Sequence, residues 1–240
     1  MSRSLRFFDQ RLDREELMDR TACDSAMLRR TVRQFEWINI LFSASRRLIR
    51  ERFFPVMAAA PGREYTLLDV GAGGCDVARW VVRSARRRGW SIRVMALDPD
   101  QRLSPWLAEW GRGYPEISVR LGSTRDLESL GRFDFVFSNH VLHHVPAGEL
   151  PGLIQSCHRL ARCGFVLNDL RRSAAAWAGF ALFSAIFLHR SYARADGLVS
   201  IRRAYRRDEL AAMLSPELIR DGVEVVDEAP ARVAVVRTAF

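Results

Sequence analysis

The hydrophobic pattern of the chain changes period near residue 60. Before that point apolar residues recur every three or four positions. Leu28, Val32, Phe35, Ile38, Leu41 and Phe42 would share one helical face, and Pro55 is expected to stop the run. Asp13 with Glu16 makes a capping-box pattern, which predicts an earlier helix start. From Tyr65 onward short apolar runs replace the helical repeat: YTLLDV (65–70), IRVMALD (92–98), ISVRL (117–121), FDFVFS (133–138), FVLND (165–169), VEVVD (223–227) and RVAVVRT (232–238). Their length and their β-branched and aromatic content are those of strands.

Helical or mixed stretches near 76–88, 101–112 and 147–162 separate the first five runs, the alternation that builds a parallel sheet covered on both faces. Only the turn-like EAPA separates the last two, so they are expected to pair as an antiparallel hairpin. The predicted fold is α/β, a seven-stranded, mostly parallel sheet with an antiparallel last strand. A helical cap spans residues 1–60 and the main domain 61–240. After strand five, a helical insertion of about 170–220 holds an apolar helix and an amphipathic one around Arg207 to Leu214. No internal repeat or low-complexity tract is visible.

Composition narrows the function classes. A chain of 240 residues, 48% hydrophobic, can bury one full core with an appendage. No lysine occurs, so all 37 basic residues are arginine; against 28 acids they give a net charge of +9. The pairs Arg29-Arg30, Arg46-Arg47, Arg171-Arg172, Arg202-Arg203 and Arg206-Arg207 and the triplet at 86–88 are scattered among acids, which reads as solvated faces rather than a nucleic-acid-binding block. Cys23, Cys75, Cys157 and Cys163 form no CxxC pair, and no hydrophobic leader is visible; reduced thiols and a cytoplasmic location are expected. The uncharged run 173–188 falls short of the roughly 20 residues of a bilayer-spanning helix, so no transmembrane span is expected.

The stretch LLDVGAGGCDVARW (67–80) runs from strand through a glycine turn into a helix. A dinucleotide turn wants a third glycine where Asp76 stands, and an acid there would face a pyrophosphate. A phosphate-binding P-loop needs a lysine that the chain lacks. There remain Asp69-x-Gly71-x-Gly73 and a second acid, Asp98, at the end of the next strand in LDPD. Glycines let a ligand approach the backbone, helix-start N–H groups favour a carboxylate, and the two oxygens of Asp98 can accept from both hydroxyls of a ribose. Acids here also suit a cationic ligand better than a phosphate.

In this order, the motifs resemble the class I S-adenosylmethionine (SAM) dependent methyltransferases, by motif over 65–169 and by strand count to 238. A looser resemblance, to small-molecule methyltransferases of bacterial polyketide and quinone pathways, rests on the helical N-terminus, LHH after strand four, N-D-x-x-R-S after strand five and SIRRAYRRDEL. The resemblance implies a Rossmann-like fold with SAM as cofactor, held by Asp69, Gly71, Ala72, Gly73, Asp98, Pro99, Ser123 and Asn139. Two positions depart from the family pattern. Cys75 stands where a third glycine is common, and Ser123 stands where an acid contacts the adenine amine; Ser123 could accept one hydrogen bond, or Asp126 could substitute.

The acceptor side is read from FDFVFSNHVLHHV and NDLRRSAAAWAGFALFSAIFLHR. Methyl transfer is an in-line displacement that needs alignment, and a base where the acceptor is a hydroxyl. His140 and His143, with Asp169 at the end of strand five, are the candidate catalytic residues. Phe35, Trp37, His144, Trp177 and Phe180 are the candidate substrate-pocket residues, and the apolar insertion implies an apolar acceptor. No metal is expected, because no carboxylate sits at ligand spacing from the histidines. The N-P-P-Y pattern of adenine and glutamine N-methyltransferases is absent. The function expected is SAM-dependent methylation of a hydrophobic, aromatic small molecule on a hydroxyl oxygen, in a natural-product or quinone pathway. Methylation on carbon, on nucleic acid, and a non-catalytic partner role are the alternatives. The implied partner is a hydrophobic small molecule and not a nucleic acid, and the chain would be a monomer or homodimer.

Overall fold

The computed structural model describes residues 7–20, 22–103, 109 and 111–238. Seven strands, β1 (Glu64–Val70), β2 (Ser91–Asp98), β3 (Ile117–Leu121), β4 (Phe133–Asn139), β5 (Ala161–Leu170), β6 (Glu224–Glu228) and β7 (Arg232–Thr238), form one sheet in the order β3-β2-β1-β4-β5-β7-β6. β7 runs antiparallel to both β5 and β6, and the remaining pairs are parallel. The chain winds outward from β1 to β3, then returns across to β4. The carboxyl ends of β1 and β4 therefore border the switch point where open α/β sheets bind ligands.

Strand alternation splits the core between the two sheet faces. On one face Leu67, Val94, Phe135 and Val166 pack with Leu48, Ile49, Phe53, Phe54, Met57 and Trp80. On the other, Leu68, Val136, Phe165 and Val235 pack with Leu150, Ile154, Cys157, Tyr205 and Leu218. Because both faces are covered, β4 is buried at every position but its last, and it is apolar except for Asp134, which accepts from the Thr66 N–H and hydroxyl and pairs with Arg63, and for Ser138 and Asn139 at its carboxyl end.

The N-terminal region differs from expectation in two places. No helix follows Asp13; residues 11–16 have no regular structure and 17–20 form a turn. Glu16 is 3% exposed and its carboxylate is committed elsewhere, so it caps nothing. Nor does Pro55 stop the next helix. The helical run breaks earlier, between α1 (Ser25–Phe42) and α2 (Ser45–Arg52), where Ala44 adopts a left-handed conformation at φ 58°. Pro55 instead sits in the first turn of α3 (Phe54–Ala59), where a missing N–H costs nothing.

The first crossover helix, α4 (Asp76–Arg86), and α5 (Leu150–Leu160) stand near the predicted positions. Of the helical stretch expected at 101–112, a single 3-10 turn at Gln101–Leu103 is described, and 104–108 and 110 lie outside the described residues. The insertion is richer than its sequence suggested. The apolar helix α6 (Ala174–Phe187) packs on an unpredicted helix, α7 (Ala193–Arg203). The amphipathic helix shrinks to α8 (Arg207–Ala211), followed by α9 (Pro216–Arg220). Gly197 makes the α6 and α7 contact possible, since a Cβ there would stand 2.4 Å from the Phe180 ring. Among the described residues, no helix is long and apolar enough to cross a membrane.

Candidate active site

A cavity of about 840 Å³ opens over the carboxyl ends of β1, β2 and β4, between the glycine turn, α1, the histidine loop and α7. Asp69, Gly71, Ala72, Gly73, Asp98, Pro99, Ser123, Asn139, His140, His143, His144, Phe35 and Phe180 all line it. Trp37, Trp177 and Asp169 do not. Trp177 packs edge-on against Phe7 and Phe8, Trp37 edge-on against Phe183, and Asp169 is buried behind His143. The aromatic stripe of α6 therefore divides. Phe180 faces the cavity, Trp177 serves the N-terminal segment, and Phe187 is 55% exposed.

The glycine turn is built around Gly71. Its φ is +69°, and a Cβ would meet Val141 Cγ2 at 2.3 Å, so only glycine lets the turn pass beneath the histidine loop. Asp98 ties this turn to the end of β2: its Oδ2 accepts from the Gly73 N–H at 2.7 Å and its Oδ1 from the Asp100 N–H at 3.0 Å. Cys75 sits in the left-handed region at φ 56°, a conformation that explains why glycine suits this position. Burial pushes its thiol pKa up, so it is an inert side chain rather than a nucleophile.

Three carboxyls converge at the turn. Burial raises the pKa of Asp69 well above the ordinary value, with Asp76 and Asp98 adding to the effect. Burial followed by the nearby Glu36 raises Asp76 to about 6, and burial also raises Asp98. Groups whose ionised form is disfavoured where they stand suit a ligand that brings positive charge, and the sulfonium and ammonium of SAM do so. The open space in front of Gly73 leaves room for such a ligand against the backbone.

This arrangement carries a pH prediction. A cation binds the ionised carboxylates, so affinity for SAM should fall as pH drops through about 6, where Asp76 protonates. Its demethylated product (SAH), which lacks the sulfonium, should lose less. Without ligand the sign reverses: a raised folded pKa contributes stability below the unfolded value, and that stability is lost as pH rises through about 6. Calorimetric titrations with both ligands between pH 5 and 8 would check it; a SAM to SAH affinity ratio independent of pH would contradict it.

At the adenine end, Ser123 caps the 3-10 helix Thr124–Ser129, and Asp126 is exposed and spends its carboxylate on Ser123. Asp126 does not line the cavity, so it cannot substitute for the family acid. Asn139 is the hub of a polar chain. Its Oδ1 accepts from Asn168 Nδ2 at 2.8 Å and from Arg232 Nη2 at 2.9 Å, and its Nδ2 reaches Asn39 Oδ1 at 3.4 Å.

The histidines differ from the roles expected of them. His140 adopts φ +63°, and its Nε2 lies 3.2 Å from Arg232 Nη1. A guanidinium only donates, so this ring nitrogen accepts and the proton sits on Nδ1. Burial and then Arg232 hold its pKa well below the ordinary value. Its basic lone pair is thus already taken, which removes His140 as the general base. His143, 2% exposed, has Nδ1 at 2.8 Å from Asp169 Oδ1 and Nε2 at 3.3 Å from Glu16 Oε1. Burial alone would lower its pKa; Asp169 and Glu16 overcome that and raise it to about 9. A ring charged at neutral pH is no base either. Asp169 also accepts from the His143 and Leu170 N–H groups, so it positions the loop rather than touching a ligand.

His144 is the histidine of the loop left partly open, its side chain 34% exposed. Sequence reading missed Glu16, Asn39 and Arg232, because each reaches the site from a distant part of the chain. Glu16 arrives on segment 7–20, which is held by Leu12 N–H to Arg202 O at 3.1 Å and by Asp196, whose carboxylate accepts from Leu17 and Met18 N–H at 2.7 and 3.0 Å.

A seven-stranded sheet with this strand order and an acid-rich glycine turn at its switch point make the Rossmann-like fold of SAM-dependent methyltransferases. Residues 68–167, which carry both acids and the histidine loop, match the family model described as "Methyltransferase domain". No curated protein matches the chain. Among solved structures, the chain is similar to magnesium protoporphyrin IX methyltransferase from Synechocystis PCC 6803 with bound SAH, at 11% identity over 82% of this chain and 84% of that one, TM-score 0.55. It is similar to the plantazolicin methyltransferase BpumL at 6% identity over 87% and 89%, TM-score 0.62. A SAM-dependent methyltransferase from Aquifex aeolicus shares 14% identity over 89% and 97%, TM-score 0.53. The cofactor is S-adenosylmethionine, and the chain is an enzyme that transfers its methyl group.

Proposed function

We propose that the acceptor is a hydrophobic, aromatic small molecule methylated on a hydroxyl oxygen, with a place in a natural-product or quinone pathway. One observation carries the reading. The cavity that begins at the acid-lined turn continues without a break into a chamber lined by Val32, Phe35, Ile38, Phe42, Phe180 and Ile201, with Glu16, His143 and His144 at its polar wall. An apolar ring fits the first set and a hydroxyl the second. SAM supplies a methyl on a sulfonium; transfer forms a C–O bond, breaks the C–S bond with its electron pair returning to sulfur, and releases the hydroxyl proton. Alignment against the turn is the main contribution of the chain, and the hydroxyl proton passes to solvent. Asp69, Asp98 and the turn backbone hold the cofactor in this reading, with Asn139 and Ser123 nearer its other end.

The magnesium protoporphyrin and plantazolicin enzymes act on bulky small molecules, which accords with this reading. Its arginines argue against nucleic acid. Arg86, Arg93, Arg125, Arg159 and Arg171 are each paired with an acid, leaving them poorly placed to form a free basic track. Transfer of labelled methyl from SAM should therefore succeed with phenols or quinols and fail with RNA. Product spectra would show methylation on oxygen rather than carbon. Transfer to RNA alone, steeply weakened by salt, would overturn the reading.

A further inference from the structure

From the geometry we infer that Glu16, His143 and His144 form a binding site for a divalent transition-metal ion of the zinc or ferrous class. Ligand atoms of the three lie within 4.8 Å of one another. Nε2 of His143 is 3.3 Å and Nε2 of His144 is 3.8 Å from the same oxygen, Glu16 Oε1. Ligands about 2.1 Å from one ion stand about 3.0 to 3.4 Å from each other in octahedral or tetrahedral geometry, so small adjustments suffice.

Two further observations point to an ion. His143 Nε2 is fully buried yet meets no acceptor with hydrogen-bond geometry, although its ring is locked in place. Both rings are oriented from behind by a carboxylate on their other nitrogen: His143 Nδ1 by Asp169 at 2.8 Å, His144 Nδ1 by Asp19 at 3.4 Å. Carboxylates placed behind imidazoles are the outer shell that metal-ligating histidines use to fix the tautomer and raise basicity. Glu16 is itself anchored, accepting from Ser200 Oγ at 2.8 Å, with Arg203 Nη1 at 3.6 Å. Against Arg203, and Arg11 whose Nη2 donates to the His143 carbonyl at 3.1 Å, stand the carboxylates of Glu16, Asp19 and Asp169, which favour a dication.

The ion would take the place of the proton on His143 Nε2, which is released to solvent on binding. Two imidazoles and one carboxylate select zinc or ferrous chemistry over calcium or magnesium, which prefer all-oxygen sets. All three ligands border the cavity, so an open coordination position would face its interior. In the use we assign it, which rests on the acceptor reading above, the ion takes the acceptor oxygen as an outer ligand. The hydroxyl then loses its proton to solvent before its oxygen attacks the methyl group.

The test is metal uptake, independent of turnover. Full-length protein would be stripped with chelator, desalted and titrated with Co²⁺, following its ligand-field absorption, then with Zn²⁺ in competition. We expect one Co²⁺ per chain, displaced by Zn²⁺. His144→Ala, at the partly exposed ligand, should keep the fold by circular dichroism and lose binding at least about 100-fold. Asp19→Asn should weaken it about 10 to 100-fold. Folded wild-type protein that takes up neither ion stoichiometrically would overturn the site, as would uptake unchanged in His144→Ala. SAH affinity measured on the same samples separates this from the methyltransferase reading: Asp98→Ala should lose SAH and keep Co²⁺.

Discussion

Asp98→Ala should lower affinity for SAH about 100-fold or more while leaving the circular dichroism spectrum unchanged. The carboxylate lies at the end of β2, oriented by the Gly73 and Asp100 N–H groups. Each oxygen keeps a lone pair for a ribose hydroxyl, and a hydrogen bond to a charged group contributes about 1.5–3 kcal/mol. Two such bonds exceed the roughly 2.7 kcal/mol that a 100-fold change requires. The variant also releases the Gly73 N–H, so the turn loses its orientation. Asp98→Asn should fall between the two, since it keeps one acceptor. Isothermal titration would decide the matter, and full affinity in Asp98→Ala would remove the ribose assignment.

The second large effect concerns stability. Asp169→Ala should cost about 3–5 kcal/mol and lower the melting temperature by roughly 10 °C, because it strips a buried charge of its partner. Asp169 is 1% exposed and His143 2%; burial opposes the aspartate charge, and His143 outweighs it and holds its pKa below the ordinary carboxylate value. With the carboxylate gone, Nδ1 of His143 and the N–H groups of His143 and Leu170 lose an acceptor inside the fold. Asp169→Asn should cost less, since its amide oxygen can still accept. Thermal unfolding at neutral pH after chelator treatment would measure both. A loss below about 1 kcal/mol for the alanine variant would show that the histidine loop is held by other contacts.

Local pattern identified the sheet well, for a physical reason. A strand buried on both faces must be mainly apolar, as β4 is apart from its paired Asp134 and its polar carboxyl end, and a strand followed by a turn and helix must change period, as around Gly71. Elements stabilised by distant partners were poorly marked. Helix α7 has Gly197 at its centre and a weak repeat, yet it forms because α6 lies against that glycine. The Asp13 and Glu16 pattern predicts a helix because it contains the right residue types at the right spacing. Glu16 gains more from His143 and Ser200 than from a cap, and its pKa, which burial alone would raise, is brought down to about 2 chiefly by His143.

Two things, then, were set by the sequence alone: the seven-strand α/β plan and the acid-rich glycine turn. Both arise from neighbours in the chain, through hydrophobic period and through the backbone freedom of glycine. The tertiary structure alone decided which histidine carries which charge. His140 meets Arg232 from β7, His143 meets Glu16 from the N-terminal segment, and His144 stays partly open beside both. Those pairings join residues far apart in the chain through backbone contacts such as Leu12 with Arg202, which leave no periodic trace in the residues that make them.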